Sequence, residues 1–301
     1  MGEPRLTIHV QGDEVRIGRW PDPGRERLLV GRTPDQALRL VVLLHNLCPT
    51  AHRLAALLAL GRQPWPNDER LLAQEILGEH ALVMLRDWPV ALGLSPDGAA
   101  LRGLADLTPD RLRLLAKDLF GMPADRFLLI NDLAAVTVPA VPVHLFRTVA
   151  DWPIPAGDGP AGTDPTFFPR CADDPLIASE QARGGVTLAL RMLARLREAA
   201  RLIVELTTGH HAPRFRAGAD GVGVVEAARG RLIHRVRVEG GIIQAYIIET
   251  PTGAMGGPDG FLQHLLTAAL AAPAGLREKV LAIALSAADP CLPVQVEREA
   301  A

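Results

Sequence analysis

The sequence predicts an α+β fold that is mainly helical, with a small antiparallel or mixed sheet drawn from one hairpin near each end. Three observations lead there. Hydrophobic residues are 48% of the 301 residues but aromatics only 4%, so the apolar mass is largely Leu and Ala, which favour helices. Several stretches place apolar residues at i, i+4 spacing behind a capping residue. Two stretches alternate apolar and polar residues about a turn.

In chain order, Leu6 to Val10 and Val15 to Gly18 alternate around Gln11-Gly12-Asp13-Glu14 and read as the first hairpin. Pro21 to Gly24 interrupts it. Thr33-Pro34-Asp35 is a helix start, with threonine as cap and proline in the first turn, and its apolar run reaches Leu44. A second helix follows His52, a third runs from Pro66 to Trp88-Pro89, and a fourth begins at Thr108-Pro109. Residues 151–175, rich in Pro, Gly and Asp without a period, read as a long loop inside a single domain spanning 1–301. Ser179 to Leu206 reads as one long, arginine-rich helix. Leu232 to Val238 and Ile242 to Glu249 around Gly240-Gly241 form the second hairpin, expected to join the first in one sheet. Two helices, about 260–271 and 276–287, complete the list.

A formal net charge of −2 and a pI near 6.5 give no basis for binding nucleic acid or an anionic membrane. Three cysteines are too few and too scattered for a disulfide framework. No cationic leader or long apolar span stands out, and the expected compartment is a reducing cytoplasm. Nucleotide-binding loops, C-x-x-C pairs and nucleophile–base arrangements are not apparent, which argues against an enzyme.

Two of the cysteines sit in proline-bounded elbows. Cys48 precedes Pro49 at the start of an apolar helix, between His45 and His52. A helix N-terminus favours a thiolate, so Cys48 is expected to have a lowered pKa. Cys291 stands in Asp289-Pro290-Cys291-Leu292-Pro293, just past a helix that the proline ends. Cys171, with no motif around it, reads as a small buried apolar residue, and His210-His211 as exposed loop.

These elbows resemble the two cysteine motifs of nickel-iron hydrogenase large subunits, one near each end of the chain. In the first, His45 stands at the first cysteine position, Cys48 at the second and His52 at the histidine. In the second, Asp289, Pro290 and Cys291 match, while Val294 replaces the other cysteine and Glu297 the terminal histidine. Gly24-Arg25-Glu26 with Leu29-Val30-Gly31-Arg32, then Ala228-Arg229-Gly230 with His234, then Pro251-Thr252, resemble further motifs of the same family in the same order. The shortened middle and the departures resemble the hydrogenase accessory proteins of the HupK/HoxV type.

The resemblance implies a pared-down large-subunit-like fold. It also implies a non-catalytic scaffold that assembles or holds an Fe(CN)2(CO) unit for a hydrogenase large-subunit precursor, together with Hyp-type maturation proteins. Cys48 and Cys291 would hold the iron. Arg229 and Thr252 would donate to the cyanides, and His52 to the Cys48 sulfur; Glu26, His45 and Asp289 would stand around them. With two of four thiolates missing, no nickel is expected. The alternative is a zinc-stabilised or metal-free interaction protein in hydrogenase assembly, using His45, Cys48, His52 and Cys291, whose spacing is metal-compatible.

Overall fold

Both hairpins form, but in separate sheets. The computed structural model describes residues 5–12, 14–18, 24–136, 140–154, 164–256 and 260–298. Strands β1 (Leu6–Gln11) and β2 (Glu14–Ile17) pair antiparallel, and β1 takes a second partner on its other edge. That partner is the strand Val294–Arg298, which runs parallel to β1 in the register Leu6↔Val294 to Val10↔Arg298. The second hairpin belongs to a four-stranded antiparallel sheet of β3 (Phe215–Ala217), β4 (Val222–Ala227), β5 (Gly230–Glu239) and β6 (Ile242–Glu249). The expected joint sheet is thus corrected. The open edge of β1 is filled by β7, that same Val294–Arg298 strand, whose Val-Gln-Val-Glu alternation has the strand period.

Helices supply most of the remaining structure. Thr33 caps α1 (Pro34–Leu44) with a complete capping box against Gln36. Cys48 is the N-cap of α2 (Pro49–Ala59), with Pro49 at the first helical position as anticipated. The third helix, α3 (Asp68–Leu82), passes into a π-helical turn, Val83–Asp87. Pro89 has no N–H to return to Leu85, whose carbonyl instead accepts from Asp97 N at 3.3 Å.

The expected single helix over 179–206 is two. Gly185, at φ 72°, ends the helix Pro175–Gly184, and a 21-residue helix, Leu188–Thr208, starts afresh from a Thr187 cap. This second helix is buried along most of its length and packs against α3 and the helices Pro109–Phe120, Ala124–Leu128 and Val141–Ala150. Within the loop expected over 151–175, residues 155–163 lie outside the described residues. Phe168–Cys171 forms a short 3-10 helix, with Phe167, Phe168 and Cys171 in the core. The Cys171 thiol lies 3.8 Å from the Ala194 carbonyl, the buried apolar role expected of it.

The four-stranded sheet rests on α2, and the contact depends on Gly223. A Cβ there would meet the Ala55 carbonyl oxygen at 2.1 Å and Ala59 N at 2.8 Å. Gly223→Ala must therefore push strand and helix apart, at a cost of about 3 kcal/mol. A lowered urea midpoint with an unchanged m-value is the expected result. Among the described residues no helix is long and apolar enough to cross a membrane.

Candidate functional site

The site forms where the two cysteine elbows meet, and the β1–β7 pairing anchors the second of them. Leu6 N donates to the Pro293 carbonyl at 2.8 Å, so the residues just past Cys291 are tied to the first strand. The helix Arg277–Ala288 ends at Asp289, the one non-glycine residue at positive φ (50°) among those described. This left-handed turn, with Pro290 behind it, swings Cys291 out of the helix direction. Thr252, buried in the short helix Pro251–Ala254, accepts from Cys291 N at 2.9 Å and fixes the backbone of the second elbow. Because its oxygen accepts there, its hydroxyl proton stays available for another acceptor.

Arg229 links the elbows. Its Nη2 donates to Glu79 of α3 at 2.8 Å, and its Nε lies 3.3 Å from Asp289 Oδ1, an ion pair without hydrogen-bond geometry. Both thiols, Cys48 and Cys291, lie within its electrostatic reach, and Cys48 also feels Cys291. Among the described residues, its buried Nε and Nη1 find no hydrogen-bond acceptor. The turn carrying Arg229 depends on Gly230, at φ 137°, where a Cβ would stand 2.1 Å from the Pro165 carbonyl.

Contrary to the sequence expectation, the Cys48 thiol is not acidified. Burial pushes its pKa up, and Glu75 pushes the same way. The helix start does not offset that burial. Glu75 of α3 accepts from Thr50 N at 2.6 Å and Ala51 N at 3.0 Å, so a carboxylate already occupies the N–H groups expected to favour the thiolate. The metal-free Cys48 is therefore a thiol at neutral pH.

His52 does not turn to sulfur in the described hydrogen bonds. Its Nδ1 meets His234 Nε2 at 3.0 Å, and His234 Nδ1 meets the Tyr246 hydroxyl at 2.8 Å. His45 stacks flat on His52, centroids 3.8 Å apart and planes within 7°, and its Nε2 is buried without a partner among the described residues. Among the described residues no three His, Cys, Asp or Glu side chains are grouped to hold an ion, so His45, Cys48, His52 and Cys291 do not form the four-ligand zinc set. Glu26, in the 3-10 helix Arg25–Leu29, is half-buried and makes no described hydrogen bond.

The histidines are held neutral. Burial lowers His45 to about 4, with Arg25 adding to the effect, lowers His234 to about 3, and lowers His52 well below its usual range. A histidine whose folded pKa lies below its unfolded value of 6.5 leaves the unfolded chain binding more protons, so acid favours unfolding. Stability is expected to be full above pH 6.5 and to fall as pH drops toward about 4, as read by urea midpoints across that window. His234→Phe should shallow the fall.

Sequence reasoning missed a chain of buried charges behind Asp289. Arg195, on the long central helix, reaches Asp289 Oδ2 at 3.4 Å and His80 Nδ1 at 3.0 Å. His80 Nε2 meets Glu198 Oε2 at 2.8 Å, and Glu198 accepts from Arg170 Nε at 2.5 Å. Burial opposes the ionisation of Glu198, yet Arg170 and His80 together hold its carboxyl below the usual range. The available signal is the Arg191, Arg195, Arg197, Glu198 cluster on an otherwise apolar helix, where buried charges demand partners.

No family model matches the chain. It is 33% identical to a hydrogenase expression/formation protein HupK of Rhodobacter capsulatus, over 97% of this chain and 96% of that one. A HupK of Azotobacter vinelandii is 29% identical, over 96% and 94% of the two chains, and a HoxV of Cupriavidus necator 26%, over 90% of each. Among solved structures, a reduced Ni-Fe-Se hydrogenase from Desulfomicrobium baculatum superposes with a TM-score of 0.57 at 14% identity, covering 93% of each chain. An NAD+-reducing [NiFe]-hydrogenase gives 0.53 at 19%, covering 93% of this chain and 92% of that one. At such identities the structures establish the fold, that of a pared-down hydrogenase large subunit.

Proposed function

Since the chain belongs to the HupK/HoxV family of hydrogenase expression/formation proteins, we propose that it serves nickel-iron hydrogenase maturation as a non-catalytic scaffold. Its cargo is an Fe(CN)2(CO) unit, held between Cys48 and Cys291 until it passes to a hydrogenase large-subunit precursor with the help of Hyp-type maturation proteins.

The observation that carries this proposal is Arg229. A ferrous ion, two cyanides and two thiolates sum to a dianion, which is costly to bury without donors aimed at it. Arg229 is anchored by Glu79 and Asp289, beside both thiols, with Nε and Nη1 buried and lacking hydrogen-bond acceptors among the described residues. A cyanide nitrogen supplies the missing acceptor. The free hydroxyl proton of Thr252, at the backbone of Cys291, is the natural donor to the second cyanide. Thiols that start protonated release their protons as sulfur binds iron.

His45 and Val294 occupy the positions of the two missing thiolates, so the site lacks the sulfur set that nickel requires. The same lack leaves iron with few protein donors and makes release to a four-thiolate acceptor favourable. Infrared spectroscopy and elemental analysis of protein purified anaerobically from a hydrogenase-producing host test the proposal. Cyanide and carbonyl bands with stoichiometric iron and no nickel are expected. Protein that carries neither bands nor iron would leave the metal-free interaction protein as the function.

A further inference from the structure

Four large apolar side chains are exposed around the first elbow: Leu28 (52%), Val30 (43%), Leu43 (76%) and Leu47 (48%). They lie close together in the fold. Arg25 Nη1 donates to the Leu44 carbonyl at 2.9 Å, which ties the 3-10 helix Arg25–Leu29 to the end of α1. Leu43 and Leu47 flank His45, and Leu47 directly precedes Cys48. Packing does not account for them. The buried face of α1 is Ala37 and Val41, which join Leu29, Ile243 and Tyr246 in a small core. Leu43 points away from that core and is the most exposed of the large apolar residues described.

The surroundings are basic. Between residues 25 and 39 the chain carries Arg25, Arg27, Arg32 and Arg39 against Glu26 and Asp35, and Asp35 is bound to Arg62 at 2.6 Å. That is a local net charge of +2 in a chain whose net charge is −2. An apolar centre with an arginine border is the composition of a protein interface.

We propose that this face docks the large-subunit precursor that receives the iron unit, through a surface of apolar side chains bordered by carboxylates. The proposal rests on the scaffold function only for the partner's identity. Opposite charge on the border steers the encounter, and the leucines hold the complex while cargo passes at the adjacent Cys48.

The test is calorimetric titration of purified large-subunit precursor into four proteins: wild type, L43Q/L47Q, R39Q and the distant control L129Q. Leu129 is 67% exposed and lies just past the helix Ala124–Leu128. The double variant should bind at least tenfold more weakly. R39Q should bind severalfold more weakly with a flatter salt dependence, and L129Q should match wild type. Circular dichroism and iron content should be unchanged in all four. Wild-type binding by the double variant overturns the proposal. So does loss of vesicle binding or self-association in that variant with its precursor affinity intact. If wild type lacks the infrared bands but the face variants still lose the precursor, the scaffold function fails and the docking face stands. If the bands are present and precursor binding is untouched by the variants, the docking face fails and the scaffold function stands.

Discussion

Replacing Cys48 or Cys291 with alanine is expected to abolish the cyanide and carbonyl infrared bands and reduce bound iron to background. Each sulfur is half of the proposed protein ligand set, and the side chains around them are committed elsewhere. His52 is engaged with His234 and Glu75 caps α2. Neither residue is fully buried, so the truncations should leave stability within about 1 kcal/mol of wild type. Cys171→Ala is the matched control. It removes a core sulfur, lowers stability modestly and leaves the bands in place. Bands that persist after both Cys48 and Cys291 are removed would refute cysteine ligation.

Glu198→Ala is expected to destabilise the fold by about 3 kcal/mol, because it leaves the part-buried Arg170 guanidinium without its carboxylate and breaks the buried bond to His80. Equilibrium urea unfolding measures this. Glu198→Gln should cost less, since an amide still accepts from Arg170. The effect should extend to the site, because His80 holds Arg195, which in turn holds Asp289. Protein that folds at low temperature should therefore bind less iron, whereas Gly223→Ala, which strains the contact between sheet and α2, should lose stability with less effect on the second elbow.

Much of the fold is legible in local patterns. Thr33 with Gln36, Thr108 before Pro109, and Pro49 after Cys48 all sit where helices begin. Local signals fail where the outcome depends on distant partners. Val294 and Glu297 read in sequence as replacements for motif residues. In the structure they belong to a strand beside β1, where Glu297 lies 3.4 Å from His9. Gly184-Gly185 marks a helix break within a longer apolar period, and the period masks what the glycines do.

The elbows themselves are visible as cysteines bounded by prolines, but their electrostatics are not. The acidified thiol expected from the helix start requires free N–H groups, and Glu75, on another helix, has already taken them. Arg229 stands out through its resemblance to a family motif. Its anchoring by Glu79 and Asp289 depends on side chains far away in sequence.

The parallel pairing of residues 6–10 with 294–298 also sets a timetable. While the ribosome is still making the middle of the polypeptide, the first corner exists without its counterpart, and any metal meeting it finds a single sulfur. Only after a contact between the first and last described strands has closed, a slow step for any polypeptide, is the second corner anchored in its place.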